Sequence, residues 1–531
     1  MQRDVRSTLS ALGARARGNL ERSIGIDTRT LAVFRVFVGV LIVADVLARS
    51  RNFWYFYTDE GVVPRSHAMA VTSDTAFSFY HISTDPTVIA GLMVLQVLIA
   101  IQLIVGYRTR IATILSFLFV ISLDYHNPFI TSYADVLFRL LLFWAIFLPL
   151  GERWSIDAVH RERRSRAAIA SIASGAILFQ MVYMYFYNGY HKLQSDVWGT
   201  GEAAPLVLGL DDMTFFLAPV VRQFPTLLGI GGLVWFAILV ISPLLIILVG
   251  RKRMALISIF AVGHLSFAIT VRIGAFAYVA LAGLLLFLQA EFWADSKAVA
   301  GHLGLDMGAV SRRVDRLEAV ARSVPDVRIT DESYVQMRKQ LYSLSIAVIV
   351  LTVLLFSVGP YLPAGALVDS DSPHKQQIEQ TANDYMIDQP DWTVFAPNPR
   401  TTDRYYVFVA QTEEGELLDV YNDRPLTFDR PDESLQTQYG TYRERFYMNS
   451  VRRASSASNT PTLLANHICQ TYEDEHGITI TNIDMYVVTE DVAMETIDDF
   501  ENRERSSRFL HSHSCDGSEP ERIPLPEGMR P

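Results

Sequence analysis

Long apolar runs separated by short arginine-bearing connections dominate the first 360 residues. A helix of about 20 apolar residues is long enough to cross a bilayer. On that measure nine spans are predicted, near 30–48, 87–106, 109–123, 135–150, 167–189, 225–249, 254–272, 274–292 and 342–359. The third and fourth are short and carry or abut polar residues, and only Arg272 and Gly274 mark the turn between the seventh and eighth. The predicted fold is an all-α polytopic membrane bundle. Beyond about 370 the pattern changes. Tyr405–Ala410 reads as a strand, Glu413–Glu416 as a turn and Leu417–Tyr421 as the returning strand of a hairpin. Ile478–Val488 reads as another strand and Leu463–Glu473 as a helix. A small α+β domain over 370–515 is expected, followed by a Pro- and Glu-rich tail, 516–531, expected to be disordered.

Charge then orients the chain. The arm 1–29 carries six arginines, and Tyr107–Arg110, Gly151–Arg166, Arg251–Arg253 and 293–341 are all basic. The intervening loops 49–86, 124–134 and 190–224 are poorer in basic charge. Positive charge collects on the cytoplasmic side of membrane proteins. A multi-pass protein of the cell membrane is therefore expected, with a cytoplasmic N-terminus and an extracytoplasmic C-terminal domain. Val5, Leu9, Leu12 and Ala16 fall at helical spacing, so the arm reads either as a surface-lying helix or as a mobile basic arm. Met307, Val310, Val314, Leu317 and Val320 make the cytoplasmic linker 293–341 a basic amphipathic helix, on the membrane or simply solvated.

Composition sharpens this picture. Only 19% of residues are charged and mean hydropathy is positive, against about a quarter charged in soluble domains. From Tyr361 onward there are 31 acidic and 14 basic residues, so the tail holds a net −17 while the whole chain is −10. Such an acidic tail, almost without lysine, reads as adaptation to high salt or as an ordinary acidic soluble domain. Both cysteines, Cys469 and Cys515, lie in it, where an extracytoplasmic location permits a disulfide. No metal-ligand spacing, phosphate loop or nucleophile elbow is present, and no basic surface suits nucleic acid.

Of 46 basic residues only five are lysines, and the first of them, Lys192, ends the run Tyr185-Phe186-Tyr187-Asn188-Gly189-Tyr190-His191-Lys192. Arginine stays protonated, whereas a desolvated lysine can act as a base. Lys192 reads either as an interfacial lysine that snorkels beside an aromatic belt, or as a catalytic base. His191 and Asn188 stand beside it to orient a substrate, with Tyr187 in the same run. Asp135 and Arg139 are spaced for a helical ion pair, with Asp135 also placed to line a cavity. Charges at membrane depth are costly unless paired or facing a cavity. His126 is a candidate acid/base on the outer face. Arg35 and Asp45, ten residues apart in the first helix, are expected to pack against partner helices, and His264 to be a hydrogen-bonded core residue.

Tyr185–Leu193, followed by Asp196 and Trp198, resembles the Gly-x-x-Lys-Leu segment of vitamin K-dependent gamma-carboxylases. Asp135–Arg139 leading into Phe147–Ala158 resembles the bacterial and archaeal branch of that family, the horizontally transferred transmembrane (HTTM) domain proteins. Trp54–Pro64 and Trp392–Pro399 are similar to it as well. The resemblance covers roughly 25–510, and with the lysine-poor acidic tail it points to a haloarchaeal member. It implies that Lys192 is the base that deprotonates a reduced quinone, menaquinol or vitamin K hydroquinone. It further implies O2 and CO2 as co-substrates and a glutamate side chain of a protein or peptide on the outer face as acceptor. This chain departs from the family at several points. Ala134 stands where the animal enzyme has a histidine, with His126 several residues away. His191 replaces a second lysine, and the outer tail is shorter. Two readings follow: a quinol-dependent carboxylase, or a non-catalytic membrane transport or assembly protein on the same fold.

Overall fold

The structure, a computed structural model, describes residues 14–72, 76–304, 318–325, 340–349, 389–432, 434–455 and 458–527, with a few single positions besides. The periodicity expected over 307–320 falls largely outside these residues, as do Val5, Leu9 and Leu12 and the second half of the last expected span.

The helices begin where the sequence supplies caps. The Asp27 carboxylate accepts from Arg29 N (2.8 Å) and starts α1, Thr28–Ser50. Asp85 accepts from Thr87 N (2.7 Å), with Pro86 in the first turn, and starts α2, Pro86–Val105. Next come α3 (Thr109–His126), α4 (Tyr133–Ala145), α5 (Ile172–Lys192), α6 (Pro225–Val240), α7 (Gly250–Thr270), α8 (Phe276–Leu285) and α9 (Ala290–His302). Leu31, Phe34, Val38 and Ile42 bury one stripe of α1 at helical spacing. The far faces of these helices stay apolar yet exposed, as at Val40, Val94, Leu98 and Val262. A surface of this kind is expected of helices solvated by lipid.

Among the described residues α1, α2 and α7 are long and apolar enough to cross a membrane, and α8 with α9 makes a fourth if that pair, bent by 102°, is one span. The remaining expected spans are shorter or less apolar helices. The one expected at 225–249 ends at Val240, because Ser242-Pro243 breaks the ladder before Leu244–Ile247. The one expected at 135–150 ends at Ala145. Arg35, buried in α1, collects the carbonyls freed beyond that end: Leu150 O (3.0 Å), Arg153 O (3.2 Å) and Trp154 O (2.5 Å).

Glu152, in the same turn, is buried among Arg161, Arg163 and Arg166. Burial pushes its carboxyl up, but the hydrogen bonds from Arg166 and the charge of Arg161 outweigh this and hold it down to about 2. A carboxylate depressed in the folded state stabilises above its ordinary pKa, and that stabilisation fades as pH falls toward the folded value. Glu152→Gln should therefore unfold more readily than wild type at neutral pH. The gap should close as pH falls from about 4.5 toward 2, as read in unfolding curves over that range.

Among the described residues the C-terminal domain is a five-stranded antiparallel sheet with two α-helices. Its strands are β1 (Thr402–Thr412), β2 (Leu417–Asp419), β3 (Arg424–Pro425), β4 (Ile480–Asp491) and β5 (Arg505–Ser514), in spatial order β3-β2-β1-β4-β5. The expected hairpin is β1–β2, with Val409 opposite Asp419. Helices α10 (Tyr442–Arg453) and α11 (Thr460–His476) cover one face, and a disulfide joins Cys469 on α11 to Cys515 just beyond β5. The stretch expected to be a disordered tail instead lays Ile523 on the sheet, where its N–H donates to Asp484 (3.0 Å).

This domain is seated on the helical part by charge. Asp403 accepts from the N–H groups of Asp211 and Asp212 (2.6 and 2.8 Å), while Arg430 and Arg222 bind the Asp211 carboxylate. Arg400 binds that of Asp212.

Candidate active site at the end of α5

Asn188 and Lys192 are four apart on α5 and so share one face of the helix. That face is covered by an extended strap, 389–398, that leads into β1. Gln389 pairs with Gln180 amide to amide (2.9 Å). Tyr133 and Tyr187 hold Asp391 through its carbonyl (2.9 Å) and carboxylate (3.2 Å). Asn188 Nδ2 donates to Trp392 O (2.7 Å) and Val394 O (3.0 Å). The Ser195 hydroxyl bonds the Asn398 side chain at the far end.

Lys192 is 1% exposed. Its Nζ donates to Val394 O (2.7 Å) and Phe395 O (3.2 Å) and lies 3.9 Å from the centre of the Trp198 ring. Trp198 Nε1 donates to the same Phe395 carbonyl (3.0 Å). Phe395 has a left-handed backbone (φ 53°), which a bulky side chain adopts only at a cost of about 1–3 kcal/mol. Two successive carbonyls thereby meet one amine. No carboxylate pairs with Lys192 among the described residues. A snorkelling lysine would reach water, and this one does not. Burial without a countercharge is the condition under which an amine gives up its proton and serves as a base.

The other expected site residues are distributed differently. His191 points its ring between Tyr187 and Tyr190, at 4.5 and 5.6 Å, and is not among the groups on Nζ. His126 ends α3 rather than lying on an exposed loop. It is buried, stacks on Tyr57 and shares a hydrogen bond with Tyr57 O (3.2 Å). His264 is a core residue bonded to the Tyr185 hydroxyl (2.8 Å).

Asp135 and Arg139 belong to a neighbouring buried network whose pairs are tertiary. Arg139 binds Asp124 (3.0 Å). Asp135 Oδ2 accepts from the N–H and hydroxyl of Ser132 (2.7 and 2.8 Å), capping α4, and its Oδ1 accepts from Arg49 and Arg443 (both 3.0 Å). Arg49 also binds Asp45 (2.8 Å) and Asp124 (2.7 Å), and Arg443 also binds Asp45 (2.6 Å). Three carboxylates and three guanidiniums thus neutralise one another, with Arg443 supplied by the C-terminal domain. Tyr133, two residues before Asp135, links this network to the strap through Asp391 and lies 5.8 Å from the Trp392 ring.

Sequence reasoning missed Asp124, Arg49 and Arg443. Arg49 did carry a signal, since it ends α1 on the side where the charge bias calls for no cation. The HTTM domain model matches residues 24–293, just over half of the chain. The chain belongs to the HTTM domain family. No curated protein and no solved structure matches it. The HTTM match holds Lys192, Asn188, Trp198 and five of the six network residues. Arg443 and the carbonyls on Lys192 come from outside the HTTM domain, so the C-terminal domain and strap complete the site.

Proposed function

We propose that this HTTM protein is a quinol-dependent oxygenase/carboxylase of the gamma-carboxylase type, acting on glutamate side chains with Lys192 as base. The observation that carries this reading is the amine itself, buried at the end of α5 with no carboxylate partner among the described residues and bordered by flat aromatic faces. Trp198 lies directly on Nζ, while Trp392 of the strap packs at a tilt against Tyr133, a setting that fits a planar quinol ring. A menaquinol or vitamin K hydroquinone would supply the reducing equivalents: O2 oxidises it to the epoxide with loss of water, and CO2 replaces the glutamate γ-proton. The chain's own part is to take a proton at Lys192 Nζ. Asn188, one turn earlier, donates to an oxygen beside it. Val394 and Phe395 hold the amine until the quinol hydroxyl takes their place. The reading keeps the expected orientation, with the N-terminus cytoplasmic and the C-terminal domain outside, where a protein or peptide substrate is met.

The second reading, a non-catalytic transport or assembly protein, draws on the covered state of the amine. One experiment separates them. Purified protein in lipid, given O2, bicarbonate and either menaquinol or vitamin K hydroquinone, is assayed for quinone epoxide. Epoxide from wild type and none from Lys192→Ala is the expected result. No epoxide with either quinol from folded wild-type protein would sink the carboxylase reading.

A further inference from the structure

A cleft of about 270 Å³ opens on the other side of the ion network, between the end of α1, the α7–α8 turn and the start of α10. Among the described residues four arginines line it, Arg49, Arg51, Arg272 and Arg443, and no acidic residue does. Arg49 and Arg443 are offset by the aspartates behind them, but Arg443 Nε is buried without a partner among the described residues. Arg272 spends its donors on neutral oxygens only: Gln436 O (2.6 Å), Gln436 Oε1 (2.8 Å) and Tyr439 O (3.2 Å). Arg51 is exposed and has no partner among the described residues. The hydroxyls of Tyr278 and Tyr442, also in the lining, have no hydrogen-bond partner there either. The N-terminus of α10, a helix of 12 residues, meets the same cleft at Gly440–Arg443, with Glu444 behind the lining taking the Gly440 N–H (2.8 Å).

The opposite wall is apolar. Phe215, Ala268 and Val271 line it, and beyond them Phe216 (72% exposed), Leu265 and Ile269 continue an exposed apolar surface. The unpaired guanidinium of Arg51, the carbonyl-bonded one of Arg272, the orphaned Arg443 Nε and two hydroxyls are donors that phosphate oxygens take, and arginine is the residue best shaped for them.

We propose that this cleft binds a phosphate-type oxyanion, with Arg51 and Arg272 as its cationic ligands and Tyr278 and Tyr442 as hydroxyl donors. The site is independent of the reaction at Lys192. Phosphate chemistry reaches it from two sources, the headgroup of an anionic lipid whose chains lie along the apolar wall, or a free phosphate.

The test uses the full chain in neutral detergent and follows binding of dioctanoyl phosphatidic acid by native mass spectrometry, with inorganic phosphate as competitor. Saturable binding is expected, weakened at least tenfold by Arg51→Glu and measurably by Tyr278→Phe. Arg251→Glu, at the opposite end of the bundle, should leave it unchanged. Arg51 is exposed and unpaired, so its replacement leaves the fold intact. Competition by millimolar phosphate would identify a free-oxyanion site, and retention of the lipid against it a headgroup site; both support the proposal. It is overturned if neither probe binds saturably, if Arg51→Glu stays within twofold of wild type, or if Arg251→Glu weakens binding as much.

Discussion

Arg443→Met is expected to destabilise the protein by about 3–5 kcal/mol, the range for breaking a buried charge network from one side. The substitution leaves Asp45, Asp124 and Asp135 facing only Arg49 and Arg139, one buried negative charge in excess. Water cannot compensate, because Arg443 is 4% and Asp124 0% exposed. Thermal unfolding in detergent, followed by tryptophan fluorescence, reads the loss. Adding Asp45→Asn restores two charges against two and should recover most of it, since contacting residues are not additive. A single variant within about 0.5 kcal/mol of wild type would show that this network does not seat the C-terminal domain, because substitutions that break nothing buried stay in that range.

Lys192→Met should separate folding from activity. Methionine keeps the length and apolar body of the side chain and removes the amine. Burying a polar amine costs free energy that an apolar side chain of similar size avoids. Against this stands the loss of the bonds to Val394 and Phe395, each worth about 0.5–1.5 kcal/mol net. The variant should therefore melt within about 2 kcal/mol of wild type. Its quinol epoxidation should fall at least a hundredfold, the lower end for losing a proton-transfer group. Lys192→Arg should be as inactive, since guanidinium does not deprotonate. An active Lys192→Arg variant would make the residue an anchor rather than a base.

The apolar helices were legible because hydropathy and caps agree. The reading 30–48 became Thr28–Ser50 and 87–106 became Pro86–Val105, each bounded by an aspartate cap. Hydropathy alone fails where the backbone breaks inside an apolar run, as at Ser242-Pro243 and between α8 and α9. The hairpin of β1 and β2 was visible in its alternation and turn, whereas α10 was not. Arg443, Arg445, Tyr447, Met448 and Val451 form its buried face, and arginines among them hide the apolar period. Ion pairs were legible only as local spacing. Asp135 and Arg139 fit a helical pair, yet the partners found for Asp135 lie 86 and 308 residues away. Lys192 and Asn188 stood out by residue type, but nothing in α5 announces that backbone carbonyls from 200 residues later cover them.

The balance of the Arg49–Arg443 network has a consequence for biogenesis. Domains emerge and fold in chain order during synthesis. When residue 293 has just been added, the network's three aspartates and two of its arginines are already made, while the third arginine is still 150 residues from synthesis. The bundle must wait in that interval with its polar end open to water, or with a proton or a borrowed cation on one aspartate. Completion of the helical domain is therefore gated by arrival of the C-terminal one. A chain truncated after residue 293 should behave as a stalled assembly intermediate, a natural client for membrane quality control.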